Sequence, residues 1–281
     1  MIYNIKDKDL SIKINDFGAE IISVQKNGVE KFWQNPTGEW NGHAPVLFPF
    51  CGQITVNVKG IFYELMLHGF ASKCQFSLVE KTEKSITLKL EANDYTKNIY
   101  PYDFVLEMGY RVENDNLIIT HNVYNPTEEP IYFGFGGHES YVVDGEINDY
   151  YILFEKEEKL VKYLGNDNRQ LTGETIDMGT SNLLQLAKEH FEDSKTLILS
   201  NIKSDKVWLQ DKNGKKIAEV NFKGIKNLLF WSPDNKTCIC IEPWSNLPDL
   251  ESEKDLEFDK KGFNKLEARG KFSFERAIKY F

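Results

Sequence analysis

Period-two alternation constrains this chain more than any other feature. In "YDFVLEMGYRV", Tyr102, Phe104, Leu106, Met108, Tyr110 and Val112 fall on one face of an extended segment. "ENDN" then turns the chain, and "LIITHNVYN" follows as the returning strand of an antiparallel hairpin or meander. "SITLKLEA" and "KFSFERAIKYF" alternate in the same way, and Asn27-Gly28 and Asn213-Gly214 mark two more tight turns. Only "TSNLLQLAKEHFED" shows helical spacing, through Leu183, Leu184, Ala187 and Phe191, with Thr180 or Ser181 as its cap. The expected fold is therefore all-β, a sandwich of large antiparallel sheets with one or two short helices. With no linker, repeat or low-complexity stretch, residues 1–281 read as a single domain. The charged run "DLESEKDLEFDKKG" reads as a solvated loop.

Composition excludes several classes of function. The net charge of −9 argues against a nucleic acid or an anionic membrane surface as partner. The N-terminal "MIYNIKDKDLSIKIND" has charges scattered through it and no apolar core, so neither a secretory signal nor a membrane span is expected. A cytoplasmic protein, monomeric or homodimeric, is the default. Four cysteines are too few for a disulfide scaffold. Cys238 and Cys240 share a strand face in "TCICIE", but no further ligands sit at zinc spacing, so they read as small core hydrophobes and no metal is expected. Phosphate-binding loops, HExxH and G-x-S-x-G are all missing; "GFGGHE" lacks the third glycine of a dinucleotide fingerprint. No cofactor is expected.

Histidines and carboxylates remain. His121 shares a face with Leu117, Ile119 and Val123 and reads as a packed or edge-exposed core residue; His190 ends the expected helix; His43 has no chemical context. His68 in "LHGFAS" and His138 in "FGFGGHESY" differ, because glycines beside them permit unusual backbone angles and close approach of a ligand. Two turn histidines bonded to backbone is an equal reading of the same residues. Glu242 follows the doubly apolar "CICI", where Pro243 is expected to stop the ladder. A carboxylate there is either salt-bridged at a strand end or desolvated towards the working range of a general base. Trp231 and Trp244 nearby suit either core packing or a wall on which a sugar stacks.

Six stretches in order resemble the aldose 1-epimerase (galactose mutarotase) superfamily in its LacX-like branch. They are "HAPVLFPFCG" (43–52), "LHGFAS" (67–72), "YPYDFVLEMGYRV" (100–112), "NPTEEPIYFGFGGHESY" (125–141), "NLLFWSPDN" (227–235) and "CICIEPWSNLPD" (238–249). The resemblance implies a galactose-mutarotase-like β-supersandwich and a monosaccharide substrate, such as free galactose or glucose. It implies His138 as general acid at the ring oxygen, Glu242 as general base at the anomeric hydroxyl, and His68 as a residue that orients the sugar. Asp193 is the matching substrate-binding aspartate, with Asp205 and Asp211 as rivals; Trp231 and Gln53 are further substrate contacts. Two features depart from the pattern. Gln53 and Ser72 are neutral where members of the branch often carry arginine, and "ESY" follows His138 where proline and an aromatic are usual. Hexose 6-phosphate is the alternative substrate, since Lys59 and Lys73 flank the first two motifs, although none of the four arginines lies within the six stretches expected to line the cleft except Arg111, which ends its strand. A non-catalytic carbohydrate-binding protein on the same fold is the alternative of a different class.

Overall fold

The computed structural model describes residues 1–65, 67–191, 196–234, 236–253, 257 and 262–281. Its described residues form a four-stranded N-terminal sheet (Ile2–Asp7, Leu10–Asn15, Glu20–Lys26, Val29–Glu30), one antiparallel ladder of thirteen strands and two two-stranded ribbons. The all-β expectation holds. The expected hairpin is present as Val105–Glu113 against Asn116–Tyr124, and both Asn-Gly turns join paired strands.

Open sheets of more than about ten strands curl or fold over. Here one sixteen-residue strand, Tyr150–Gly165, takes different partners along its length and so joins two stretches of the ladder. Its first five residues pair with Val207–Asp211, while Lys162 and Tyr163 pair with Leu199 and Ile198. Glu158 is buried in the irregular middle of this strand, and the backbone N–H groups of Lys203 and Ser204 and the Ser204 hydroxyl all donate to its carboxylate. Those donors replace the water that a buried charge loses.

Three local expectations are corrected. Thr180 to Gln185 lies not in a helix but in the strand Leu171–Gln185, which pairs with Tyr150–Gly165; a 3-10 turn, Lys188–His190, follows. The α-helix among the described residues is Asp94–Lys97, started by a reciprocal capping box between Asn93 and Thr96. Pro243 does not stop its ladder. The strand runs Cys238–Trp244 with Pro243 opposite Leu228, and the Pro243 carbonyl accepts from Gly137 N–H at 3.0 Å. A proline lacks only the donor, so it fits a ladder site that asks it to accept. Of the charged C-terminal run, Glu251, Ser252 and Glu257 are exposed as expected, but Asp249 at its start is buried and accepts from Thr55 N–H.

Candidate active site

The site is built on the strand Cys238–Trp244, all seven residues of which are buried. Cys238, Cys240, Glu242 and Trp244 alternate onto one face; Ile239 and Ile241 face the main core. The neighbouring strand Glu139–Val142 pairs with it so that Glu139 lies opposite Ile241 and Ser140 opposite Cys240. Carried one residue back, this register puts His138 level with Glu242 on the same face. His138 Nε2 indeed lies 3.5 Å from Glu242 Oε2. On the other side, Trp231 lies opposite Cys240 and Leu229 opposite Glu242.

Aromatic rings wall the pair. Trp40 lies 5.2 Å from the His138 ring at a shallow 31°, and Trp231 stands edge-on to His138 at 5.7 Å. The His68 ring is 5.4 Å from His138 and 5.2 Å from Trp244. His68 adopts φ 64°, and Gly69 follows at φ 74°. A Cβ on Gly69 would stand 2.2 Å from the Phe48 carbonyl oxygen, so only glycine lets the chain turn here. The Gly52 N–H donates to His68 Nδ1 at 3.2 Å. That bond leaves the proton on Nε2, and His68 presents a donor. Gln53, half-buried, is the residue after Gly52.

The glycines before His138 serve close packing rather than unusual angles. A Cβ on Gly137 would lie 2.5 Å from Glu139 Oε2 and 2.7 Å from Arg276 Cζ. Glu139 points to the back of the sheet, where its carboxylate accepts from both terminal nitrogens of Arg276. Both residues are buried, with Tyr141 and Tyr280 beside them.

Electrostatics separate the two facing groups. Burial lowers the pKa of His138 to about 4. Burial, and then the negative charge of Glu139, push Glu242 well above the usual carboxylate range. The order of proton affinity in the pair is thus reversed: imidazole with carboxylic acid lies below imidazolium with carboxylate across the 3.5 Å gap. Burial holds His68 well below its ordinary value, helped by the charges of His138, Arg169 and Lys73.

The structure therefore brings together His138, Glu242, His68 and Trp231. Asp193 lies outside the described residues. Its rivals are engaged elsewhere: Asp211 caps its own turn through Asn213 and Lys215 N–H, and Asp205 faces Lys156 at 3.6 Å. Lys59 pairs with Glu129 on the surface. His121 is packed in the core beside Phe135 and Phe274. Sequence reading missed Trp40, whose only signal is a tryptophan set among glycine and asparagine in "GEWNGHAP".

Comparison with known proteins decides the family. Residues 1–259 match the family model for aldose 1-epimerase. The chain belongs to the aldose 1-epimerase family. It is 28% identical over 285 residues to the chromosomal LacX protein of Lactococcus lactis subsp. lactis, with 95% of each chain covered. Among solved structures, a galactose mutarotase related enzyme from Lactobacillus acidophilus superposes with a TM-score of 0.91 at 29% identity, covering 100% of this chain and 97% of that one. A galactose mutarotase-like protein from Lactobacillus casei shares the fold at a TM-score of 0.93 and 23% identity, with 100% of both chains covered. The fold is thus galactose mutarotase-like and the chain LacX-like. The aldose 1-epimerase match spans His68, His138 and Glu242; the strand that carries Arg276, Lys271–Tyr280, lies beyond it. No helix among the described residues is long and apolar enough to cross a membrane.

Proposed function

We propose that this chain is a mutarotase that interconverts the α and β anomers of a free hexose such as galactose or glucose. The observation that carries the reading is the His138–Glu242 pair, 3.5 Å apart in a buried, tryptophan-walled site, with pKa values displaced in opposite directions.

The ring oxygen and the anomeric oxygen are bonded to the same carbon, so an acid for one and a base for the other must be near neighbours. In the imidazolium–carboxylate tautomer, His138 protonates the ring oxygen and the bond from that oxygen to C1 breaks. Glu242 takes the proton of the anomeric hydroxyl, and the aldehyde forms. The pair is left as imidazole and carboxylic acid, the tautomer that burial favours. The aldehyde then turns about its bond to C2, and the steps run backwards to close the ring on the other face. Each placed proton-transfer group contributes about a hundred- to ten-thousand-fold. His68 Nε2–H donates to a sugar hydroxyl and orients the ring against the wall that Trp40 and Trp231 form in edge contact at 5.2 Å.

Hexose 6-phosphate is the second reading, favoured by one observation: the charges of Arg169 and Lys73 reach His68. Polarimetry of freshly dissolved α-galactose, α-glucose and glucose 6-phosphate tests both. Faster decay of rotation with either free sugar supports the first reading. A markedly higher kcat/KM for the phosphate, reduced in Lys73→Ala or Arg169→Ala, replaces it with the second. No acceleration with any aldose removes both and leaves a carbohydrate-binding protein.

A further inference from the structure

Cys240 is placed where the proposed reaction has no use for it. It sits two residues before Glu242 on the same strand face, fully buried, in the site rather than in the main core. His138, Cys240 and Glu242 each offer one ligand atom, and all three atoms lie within 4.8 Å of one another. The two strand residues are brought together by alternation, and His138 by the register of the next strand. In sequence, Cys240 and His138 are far apart, so no zinc spacing is visible there.

We propose that His138, Cys240 and Glu242 form a binding site for zinc or a similar thiophilic divalent cation, and that the bound ion excludes the sugar. Nitrogen, sulfur and carboxylate oxygen are the donors zinc takes in three-ligand sites with an open fourth position. Hard ions such as magnesium and calcium take oxygen ligands and do not suit a thiolate. On binding, the Cys240 S–H bond breaks, a metal–sulfur bond forms and the proton leaves to solvent. The proton shared by His138 and Glu242 leaves too, because both must offer lone pairs. A dication held by one thiolate, one carboxylate and a neutral imidazole is a neutral assembly, which a buried site tolerates. His68 does not complete the shell, because its Nδ1 is held by Gly52 N–H and its Nε2 carries the proton. The fourth position is left for water. The inference that the ion inhibits rests on the mutarotase reading; the inference that it binds does not.

Binding is therefore tested without an activity assay. Cadmium is titrated into the full chain while the ultraviolet thiolate-to-cadmium charge-transfer band and the heat are followed. One cadmium per chain, with a saturable band and proton release, is expected. Cys240→Ala should abolish the band and weaken binding at least about tenfold, since disturbing the outer shell alone costs 10- to 100-fold. Cys238→Ala should leave the band in place. If Cys240→Ala fails to fold, Glu242→Gln serves instead and should weaken binding similarly. No band, or a band that survives Cys240→Ala, or one lost with Cys238→Ala alone, overturns the site. In the second arm, zinc should inhibit mutarotation of the wild type in competition with sugar and leave Cys240→Ala uninhibited. Zinc that binds through Cys240 without slowing an active enzyme overturns the inhibitory role; a wild type with no mutarotase activity fails the function proposed above and leaves the metal site standing.

Discussion

Glu139 and Arg276, separated by 137 residues, form a buried two-point ion pair directly behind the sheet that carries His138. The pair holds the residue next to the proposed acid, and its carboxylate raises the proton affinity of Glu242 on the opposite face. Removing one member leaves an uncompensated buried charge. Glu139→Gln or Arg276→Met alone should therefore destabilise the fold by about 3–5 kcal/mol, and the double variant by less than the sum. Urea unfolding of the three variants measures this; strict additivity would show that the two residues do not act as a pair.

His138→Asn and Glu242→Gln should each slow mutarotation by about a hundred- to ten-thousand-fold while circular dichroism stays that of the wild type. The double variant should be little slower than either single one, because the two groups pass one proton between them. A near-normal rate in either single variant removes that residue from the chemistry.

His68→Gln should act differently. The proposed role is to donate to bound sugar, so the loss falls on KM more than on kcat. His68 also sits at φ 64°, a conformation asparagine tolerates better than most side chains. His68→Asn should thus keep more stability than His68→Gln, and thermal melts of the two variants check the backbone argument separately from kinetics.

The pH dependence of stability carries two opposite slopes. The folded pKa of His138, about 4, lies below its ordinary 6.5, so the unfolded chain binds the extra proton between those values. Stability is then lost as pH falls from 6.5 towards 4, by about 3 kcal/mol for this displacement. Glu242 is raised above its ordinary 4.5, so the folded chain binds the extra proton above that value, and stability is lost as pH rises through the folded pKa. Replacing His138 by Asn should flatten the first slope, and replacing Glu242 by Gln the second. Urea midpoints at a series of pH values read both; a shift of the same sign in both variants contradicts the assignment.

Much of this was legible in sequence, for identifiable reasons. Alternation survives wherever a strand has one buried and one wet face, as in Val105–Glu113, whose pattern is strictly alternate until its last residue. It fails in Leu171–Gln185, which is exposed along most of its length, so that only Leu171 and Leu184 are buried. There the chance spacing of Leu183, Leu184, Ala187 and Phe191 imitates a helix, and pairing with Tyr150–Gly165 overrides it. His138, Glu242 and His68 were visible through motifs around glycine and proline. Their meeting depends on a register between strands a hundred residues apart, which no local pattern encodes. The Glu139–Arg276 pair was invisible for the same reason.

That pair also sets a timetable for biosynthesis. The strand Lys271–Tyr280 does not add to an edge of the ladder; it is inserted between Asn116–Tyr124 and Lys216–Asn221. A ribosome making roughly 5–20 residues per second needs roughly 7–27 seconds to go from Glu139 to Arg276. Through that interval the nascent chain carries a carboxylate with no guanidinium beneath the future acid, and Asn116–Tyr124 presents an open row of backbone donors and acceptors. The back of the proposed site is thus sealed only when Lys271–Tyr280 inserts, and the growing chain is most exposed to wrong strand partners until that moment.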